Sequence, residues 1–297
     1  MRLKNILKLF IPPIFSWAKN NILPHKHQSN NSLSTIKLIK RHGDSLIVIG
    51  NGPSLTDSLR ENQKQLMKYD CIVVNHFCET NYYETLKPHF YLIADPAFFG
   101  DIDNYSEWLK IKISKFINAF ISKTQWEMNL IVPNYANGSR FIEMTKENAF
   151  IQVFYYNSKE DVVNHFDSKY KMWDSNFLPP PAQTCLNTCV WLGIFLRYRK
   201  IYLIGADTTW IEQLHVDQET NEVYTIDSHF YGKKKVPLYA DVEGKIPQKL
   251  HDELNCISRA LSLYWDLKYY ADYAGVQIFN ASKYSLIDAY ERVKRIR

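Results

Sequence analysis

Two short stretches carry residue types suited to reaction chemistry. In the first, the apolar run Leu46–Ile49 stops at Gly50, turns through Asn51-Gly52-Pro53 and restarts as an expected helix at Ser54. Such a turn can offer backbone N–H groups and the positive end of a helix dipole to a phosphate. Gly50 and Gly52 permit close approach, Pro53 suits a first helical turn, and Ser54 can cap the helix or donate to a ligand. The same residues also make an ordinary strand-to-helix connection, and spacing alone leaves both readings open. The second stretch is Asp227-Ser-His-Phe-Tyr231. His229 is suited to general-base work near neutral pH, with Asp227 placed to orient it, and an exposed loop histidine is the alternative. His76 and His215 are its rivals. Asp101-Ile-Asp103 has a spacing that can hold a divalent ion against a diphosphate, but two carboxylates fall so by chance often. No His, Cys, Asp or Glu group shows zinc spacing, and neither a Gly-x-Ser-x-Gly elbow nor a Gly-Lys-Ser/Thr phosphate loop occurs, so no metal is expected. The five cysteines form no Cys-x-x-Cys, an odd count that fits a reducing compartment, and Cys185 and Cys189 read as small core residues.

These residues need a scaffold, and the apolar pattern supplies one. Strand-like runs are expected at Leu46–Ile49, Cys71–Val74, Phe90–Ala94, Leu130–Val132, Ile151–Phe154, Ile201–Ile204 and Val276–Phe279. Helices are expected at Ser54–Tyr69, Ser106–Lys115, Thr184–Leu196 and Gln248–Tyr273. Alternating strands and helices predict an α/β fold: a Rossmann-like, doubly wound, mostly parallel sheet with helices on both faces. Ligands bind beyond the carboxyl ends of such strands. Asn51, Asn75, Asp95 and Asp207 all follow the last apolar residue of a strand, although each is also an ordinary cap or turn residue.

Two segments resist the pattern. Residues 159–181 are polar and aromatic and end in three prolines, and 208–247 show little regular signal. The second carries Trp210, Tyr224, His229, Tyr231 and three consecutive lysines, and is expected to be a substrate lid. Charge is uneven too. Residues 1–43 hold eight Lys or Arg and no acid, leaving 28 basic against 31 acidic residues in the remainder despite a net charge of +5. A basic terminal arm on a slightly acidic body argues against a nucleic-acid binder. Within the arm, Leu3, Leu7, Phe10, Ile14 and Trp17 recur at helical spacing around lysines, interrupted by Pro12-Pro13. No apolar run there is long enough to span a membrane or to read as a signal peptide. Residues 1–20 are expected to dock on an anionic membrane surface, or else to pack on the protein or a second subunit. Residues 1–35 then form an arm and linker, and 36–297 the catalytic domain.

In order along the chain stand Gly50-Asn-Gly-Pro-Ser-Leu55, Val74-Asn-His-Phe77, Asp95-Pro-Ala-Phe-Phe99, Leu130-Ile-Val-Pro-Asn-Tyr135, Lys200-Ile-Tyr-Leu-Ile-Gly-Ala-Asp207, Asp227-Ser-His-Phe-Tyr-Gly232 and Val276-Gln-Ile-Phe-Asn-Ala-Ser282. This order resembles the bacterial sialyltransferases of glycosyltransferase family 42, from about residue 45 to 290. The individual motifs are short, and their collinear order is the specific part. The resemblance implies a variant of the glycosyltransferase A type with a lid at about 208–247. It also implies a metal-independent, inverting transferase that uses a CMP-activated sugar and no resident cofactor. Carried over by position, His229 is the base. Asn51, Gly52, Ser54, Asn75, Asp95, Thr184, Asp207, Asn280 and Ser282 form the donor site, and Thr209, Trp210, Tyr224 and Tyr231 are leaving-group or lid contacts.

The chain departs from that family at two places. Its basic-Ile-Thr-Ser-Gly pattern reads here as Ala182-Gln-Thr-Cys-Leu186, and the phosphate-contacting tyrosines after the Gly-x-Asp motif give way to Thr208, Thr209 and Trp210. Both fall where donor carboxylate and phosphate are read. The expected donor is therefore a sialic acid, another ulosonic acid such as a Kdo-like sugar, or another nucleotide sugar. The expected acceptor is a bacterial surface glycan or glycolipid, and the expected location is the cytoplasmic face of the inner membrane. Homo-oligomerisation stays open. Two other readings stand beside this one: a metal-dependent phosphotransferase on a nucleotide-like substrate, with Asp95 and Asp101 or Asp103 as ligands, and an inactive family member that binds glycan.

Overall fold

The computed structural model describes residues 35–158, 166–175, 179–229, 232–241 and 244–297, and within these the side chains at 63, 166–168, 175, 227–229 and 232–234 are outside the description. The expected membrane arm and Tyr231 lie outside the described residues, as does the His229 side chain. In chain order the elements are β1 (Ser45–Ile49), α1 (Leu55–Leu66), β2 (Asp70–Val74), α2 (Tyr83–Leu86), β3 (Phe90–Leu92), α3 (Glu107–Lys123), β4 (Met128–Pro133), α4 (Arg140–Thr145), β5 (Ile151–Tyr156), α5 (Phe166–Ser175) and α6 (Cys185–Phe195). There follow β6 (Lys200–Ile204), α7 (Trp210–Gln213), β7 (Leu214–Val216), β8 (Val223–His229), β9 (Gly232–Pro237), α8 (Leu250–Ala274), β10 (Gln277–Asn280) and β11 (Glu291–Arg292).

Eight strands form one sheet in the order β11-β10-β6-β1-β2-β3-β4-β5. Every neighbouring pair is parallel. Parallel sheets are covered on both faces, so their strands read as continuous apolar runs, and β1 and β2 are buried along their whole length. Alternate residues supply two cores. Leu46, Val48, Ile72 and Val74 pack with Tyr170 and Trp173 of α5, Val190 and Trp191 of α6 and Leu263 and Tyr264 of α8. Ile47, Ile49, Cys71 and Val73 pack on the other face with Leu59 of α1, Phe116 and Phe120 of α3 and Phe141 of α4. The Rossmann-like, doubly wound sheet with helices on both faces is thus observed.

From β1 the chain steps outward through β2, β3, β4 and β5, then returns to place β6 on the other side of β1. The strand order reverses between β1 and β6, whose residues pair from Ser45 with Lys200 to Ile49 with Ile204. An open α/β sheet forms its ligand crevice at such a reversal, outside the carboxyl ends.

Two expectations from sequence need correcting. Part of 159–181 is regular: α5 buries Tyr170 and Trp173, spaced by one helical turn. The stretch 208–247 holds the short helix α7 and an antiparallel sheet in the order β7-β8-β9, followed by a Tyr239–Pro247 bridge. Its strands escape a pattern search because they are short and polar. Of the residues in β7 and of those of β8 with described side chains, only Val223 is buried, so no period-two apolar stripe marks them. Among the described residues no helix is long and apolar enough to cross a membrane.

Candidate functional site

At the strand-order reversal two loops are locked together. The Gly50 N–H donates to the Ile204 carbonyl at 2.9 Å and the Gly52 N–H to the Gly205 carbonyl at 2.8 Å. A Cβ on Gly50 would sit 2.4 Å from the Gly205 oxygen, and one on Gly52 would sit 2.5 Å from Asp207 Cγ. Both glycines are therefore demanded by close approach of the second loop. Beyond them, Ser54 donates its N–H to Asp207 Oδ2 at 2.8 Å and its hydroxyl to Oδ1 at 2.5 Å. Asp207 is 3% exposed, and burial raises its pKa while the Ser54 hydrogen bonds and the charge of Arg292 pull the other way. At the start of α1, a place favourable to an anion, stands the protein's own carboxylate.

The Gly205–Thr208 turn is braced from β10. Ser282 Oγ accepts from the Ala206 N–H at 3.0 Å, Ser285 Oγ donates to the Ala206 carbonyl at 2.6 Å, and the Leu286 N–H donates to the Asp207 carbonyl at 2.9 Å. Asn280 holds that brace, donating from Nδ2 to Ser285 Oγ at 3.0 Å and accepting from the Ser282 N–H at 3.1 Å. Arg292 of β11 donates to the Ser282 carbonyl at 2.8 Å. Asn280 and Ser282 are buried, and these polar atoms are spent on the protein's own turn.

A second group faces outward on the other side of β1. Asn51 is exposed and donates from Nδ2 to the Val74 carbonyl at 3.0 Å, tying the β1 turn to the end of β2. Asn75, with φ 48°, adopts the left-handed conformation that Asn tolerates better than most residues. Its backbone carbonyl accepts from the Tyr91 hydroxyl, and its Oδ1 accepts from the Cys185 thiol at 3.2 Å. Asp95 is exposed and caps its own turn by accepting from the Ala97 N–H at 2.9 Å. Thr184 is half-buried and caps α6 by accepting from the Asn187 N–H at 3.2 Å. Burial pushes the Cys185 thiol up to about 12, which keeps it protonated and a poor nucleophile. Exposure separates seven of the nine expected donor residues, while Gly52 and Ser54 are half-buried in the loop lock. Asn51 and Asp95 are exposed and Asn75 and Thr184 half-buried beyond the carboxyl ends of the strands, whereas Asp207, Asn280 and Ser282 are buried.

Two participants escaped the sequence reading. Cys185 joins Asn75 from the start of α6, and Tyr135, after β4, donates to the Ala94 carbonyl at 2.7 Å. Tyr135 stands just beyond an apolar strand, as Asn75 and Asp95 do, and that position was the available signal.

The insertion begins beside this crevice. Thr208 has φ 55°, Thr209 precedes α7, and Trp210 opens α7 with 37% of its surface exposed. The Tyr284 hydroxyl donates to Glu212 and so ties α7 to the segment after β10. Tyr224 stacks on His215 with ring centroids 5.4 Å apart, and Lys235 Nζ lies 4.3 Å from the Tyr224 ring centre. His229 closes β8, its backbone paired with Gly232. His76 sits at the carboxyl end of β2 between Phe98 and Phe116, with Nδ1 2.6 Å from Glu79 Oε1. Burial holds its pKa below the ordinary imidazole value, against the pull of Glu79. Glu79 also pairs with Lys115 at 2.7 Å.

No family model matches the chain, and no curated protein does. Among solved structures, the MAf glycosyltransferase from Magnetospirillum magneticum AMB-1 is similar, with 14% identity and a TM-score of 0.45 over 86% of this chain. The match spans 35% of that chain's length.

The loop lock yields a mutational contrast. Gly50→Ala forces a Cβ against a backbone carbonyl and should cost about 1–3 kcal/mol or more. Gly43→Ala, where nothing lies within 4 Å, should change stability by no more than about 0.5 kcal/mol in urea unfolding.

Proposed function

We propose that this chain is a metal-independent, inverting glycosyltransferase. It moves a sialic acid or Kdo-like ulosonic acid from a CMP-activated donor onto a hydroxyl of a bacterial surface glycan. The observation that supports this reading best is where the ordered motifs fall. The motifs at Gly50–Leu55, Val74–Phe77 and Asp95–Phe99 follow the neighbouring parallel strands β1, β2 and β3, Lys200–Asp207 runs through β6 into its turn, and side-chain hydrogen bonds join Asn51 to the end of β2 and Ser54 to Asp207. Donor-side contacts come from the outward set Asn51, Asn75, Asp95 and Thr184, while Asp207, Asn280 and Ser282 hold the wall in shape.

The chemistry asks for little beyond this. A bond forms between the acceptor oxygen and the anomeric carbon as the bond from that carbon to the CMP phosphate breaks. His229 takes the acceptor proton. A ketosidic donor ionises readily, so catalysis amounts to stabilising the departing phosphate and removing that proton. The phosphotransferase reading would instead use Asp95 with Asp101 or Asp103 on a metal ion, and of these Asp101 caps its own turn, accepting from the Asp103 N–H at 3.2 Å and from Asn104 Nδ2 at 3.1 Å.

Thermal unfolding in the presence of CMP, CDP, UDP, GDP and ADP, each with and without Mg²⁺, tests the class. A metal-free shift selective for CMP is expected, since a ligand stabilises the state it binds. A shift that requires Mg²⁺ or favours a purine nucleotide would sink the proposal.

With the correct donor and acceptor, His229→Ala should lower turnover by about 10²–10⁴. Near-normal turnover would move the base elsewhere, and His76, kept neutral by burial beside the crevice, would be the next residue to change.

The basic arm would carry the enzyme to a lipid-borne acceptor. Deleting residues 1–27 should abolish co-sedimentation with vesicles rich in anionic lipid, and unchanged sedimentation refutes that role.

A further inference from the structure

We propose that His42, Asp70 and His89 bind one divalent transition-metal ion, zinc being the best suited, at the amino end of the sheet. His42 lies in the segment before β1, Asp70 opens β2, and His89 immediately precedes β3. Because β1, β2 and β3 are adjacent, their amino ends bring together residues far apart in sequence. His42 Nδ1 is 3.0 Å and His89 Nδ1 3.7 Å from the same Asp70 oxygen, Oδ1. Ligand atoms of all three residues lie within 4.8 Å of one another, and the two imidazole rings face each other with centroids 4.9 Å apart. A tetrahedral zinc site with bonds of about 2.0–2.2 Å has ligand-to-ligand edges of about 3.3–3.5 Å, so side-chain adjustments of under about an ångström would seat the ion.

The hydrogen bonding prepares the carboxylate for this. Asp70 is 2% exposed, and its other oxygen, Oδ2, accepts from the His42 N–H at 2.9 Å and from the Tyr198 hydroxyl. Those two donors orient the carboxylate and leave Oδ1 to the imidazoles, as outer partners of metal ligands do. Proton accounting points the same way. His89 Nδ1 faces the Cys71 N–H at 3.4 Å, an arrangement in which Nδ1 carries its lone pair. The bond from Cys71 is long, and a cation beside Asp70 Oδ1, 3.7 Å away, would take that lone pair in its place. Two imidazole nitrogens and one carboxylate oxygen suit zinc and its neighbours, whereas Ca²⁺ and Mg²⁺ take oxygen ligands.

The site is separate from the candidate transfer site. Asp70 and Asn75 stand at opposite ends of β2, about 16 Å apart at the rise of an extended strand. An ion here would cross-link the segment entering β1 to the starts of β2 and β3, and it takes no part in the proposed transfer.

The test uses the full chain, stripped with chelator and titrated with Zn²⁺ alone in a calorimeter. Wild type should bind one ion saturably. His42→Ala, whose side chain is 57% exposed and so removable without disturbing the core, should weaken that binding by more than about 100-fold. Tyr198→Phe, which removes only an orienting partner, should weaken it by about 10–100-fold. The arm carries its own imidazoles, so His25→Ala/His27→Ala must leave the saturable event intact. The proposal fails if wild type takes up no ion below about 100 μM free Zn²⁺, a ceiling of about −5.5 kcal/mol. It fails equally if His42→Ala binds as wild type does, or if binding disappears with His25 and His27.

Discussion

A carboxylate taken out of water without donors costs several kcal/mol, and Asp207, 3% exposed, meets that demand through Ser54. Both oxygens of Asp207 are used, one by the Ser54 N–H and one by its hydroxyl, so the turn after β6 is fastened to the first residue before α1. Such a bond forms only if the two loops can touch, and Gly50 and Gly52 are the residues that let them. The rest of the crevice follows from this contact. The β10 end closes behind it through Ser282, Ser285 and Asn280, and Asn51 is left at the outer edge of the turn with its amide on the end of β2.

A sheet buried on both faces has only its two ends for chemistry. At the carboxyl end, polar residues follow β1, β2, β3 and β6, and α6 starts among them at Thr184 and Cys185. At the amino end, a buried aspartate faces two half-exposed or exposed histidines, with a tyrosine fixing its second oxygen. Both ends use one device: a carboxylate too buried to stand alone, oriented by donors distant in sequence, Ser54 for Asp207 and His42 with Tyr198 for Asp70. They differ in what remains over. Asp207 has both oxygens satisfied by Ser54, whereas Asp70 keeps Oδ1 for imidazole nitrogens.

The insertion between β6 and α8 obeys a different rule. Its antiparallel strands are short and their described side chains mostly half-buried, and stacking and ion pairing assist them where a core is lacking: Tyr224 with His215, and Lys235 with both Tyr224 and Asp217. Elements with little buried apolar surface open at low cost in free energy.

Sequence alone determined the strand runs, the four helices α1, α3, α6 and α8 and the carboxyl-end placement of Asn51, Asn75, Asp95 and Asp207, because strands buried on both faces must be apolar and must stop at polar turns. It did not determine the short helices α2, α4 and α7, nor α5, which sits in a polar and aromatic stretch, nor the antiparallel sheet of β7, β8 and β9, whose contacts leave no regular apolar period. Nor did it separate residues that face the crevice from residues that brace it. Asn280 and Asn51 are the same residue type after an apolar strand, yet one is buried behind the wall and the other exposed at its rim. The His42–Asp70–His89 cluster shows the same limit from the other side, since no spacing rule joins residues whose neighbourhood is created by strand order. One-dimensional periodicity reports which face of an element is buried. Which end residues of different elements meet is set by the sheet's connectivity, and only the tertiary structure contains that.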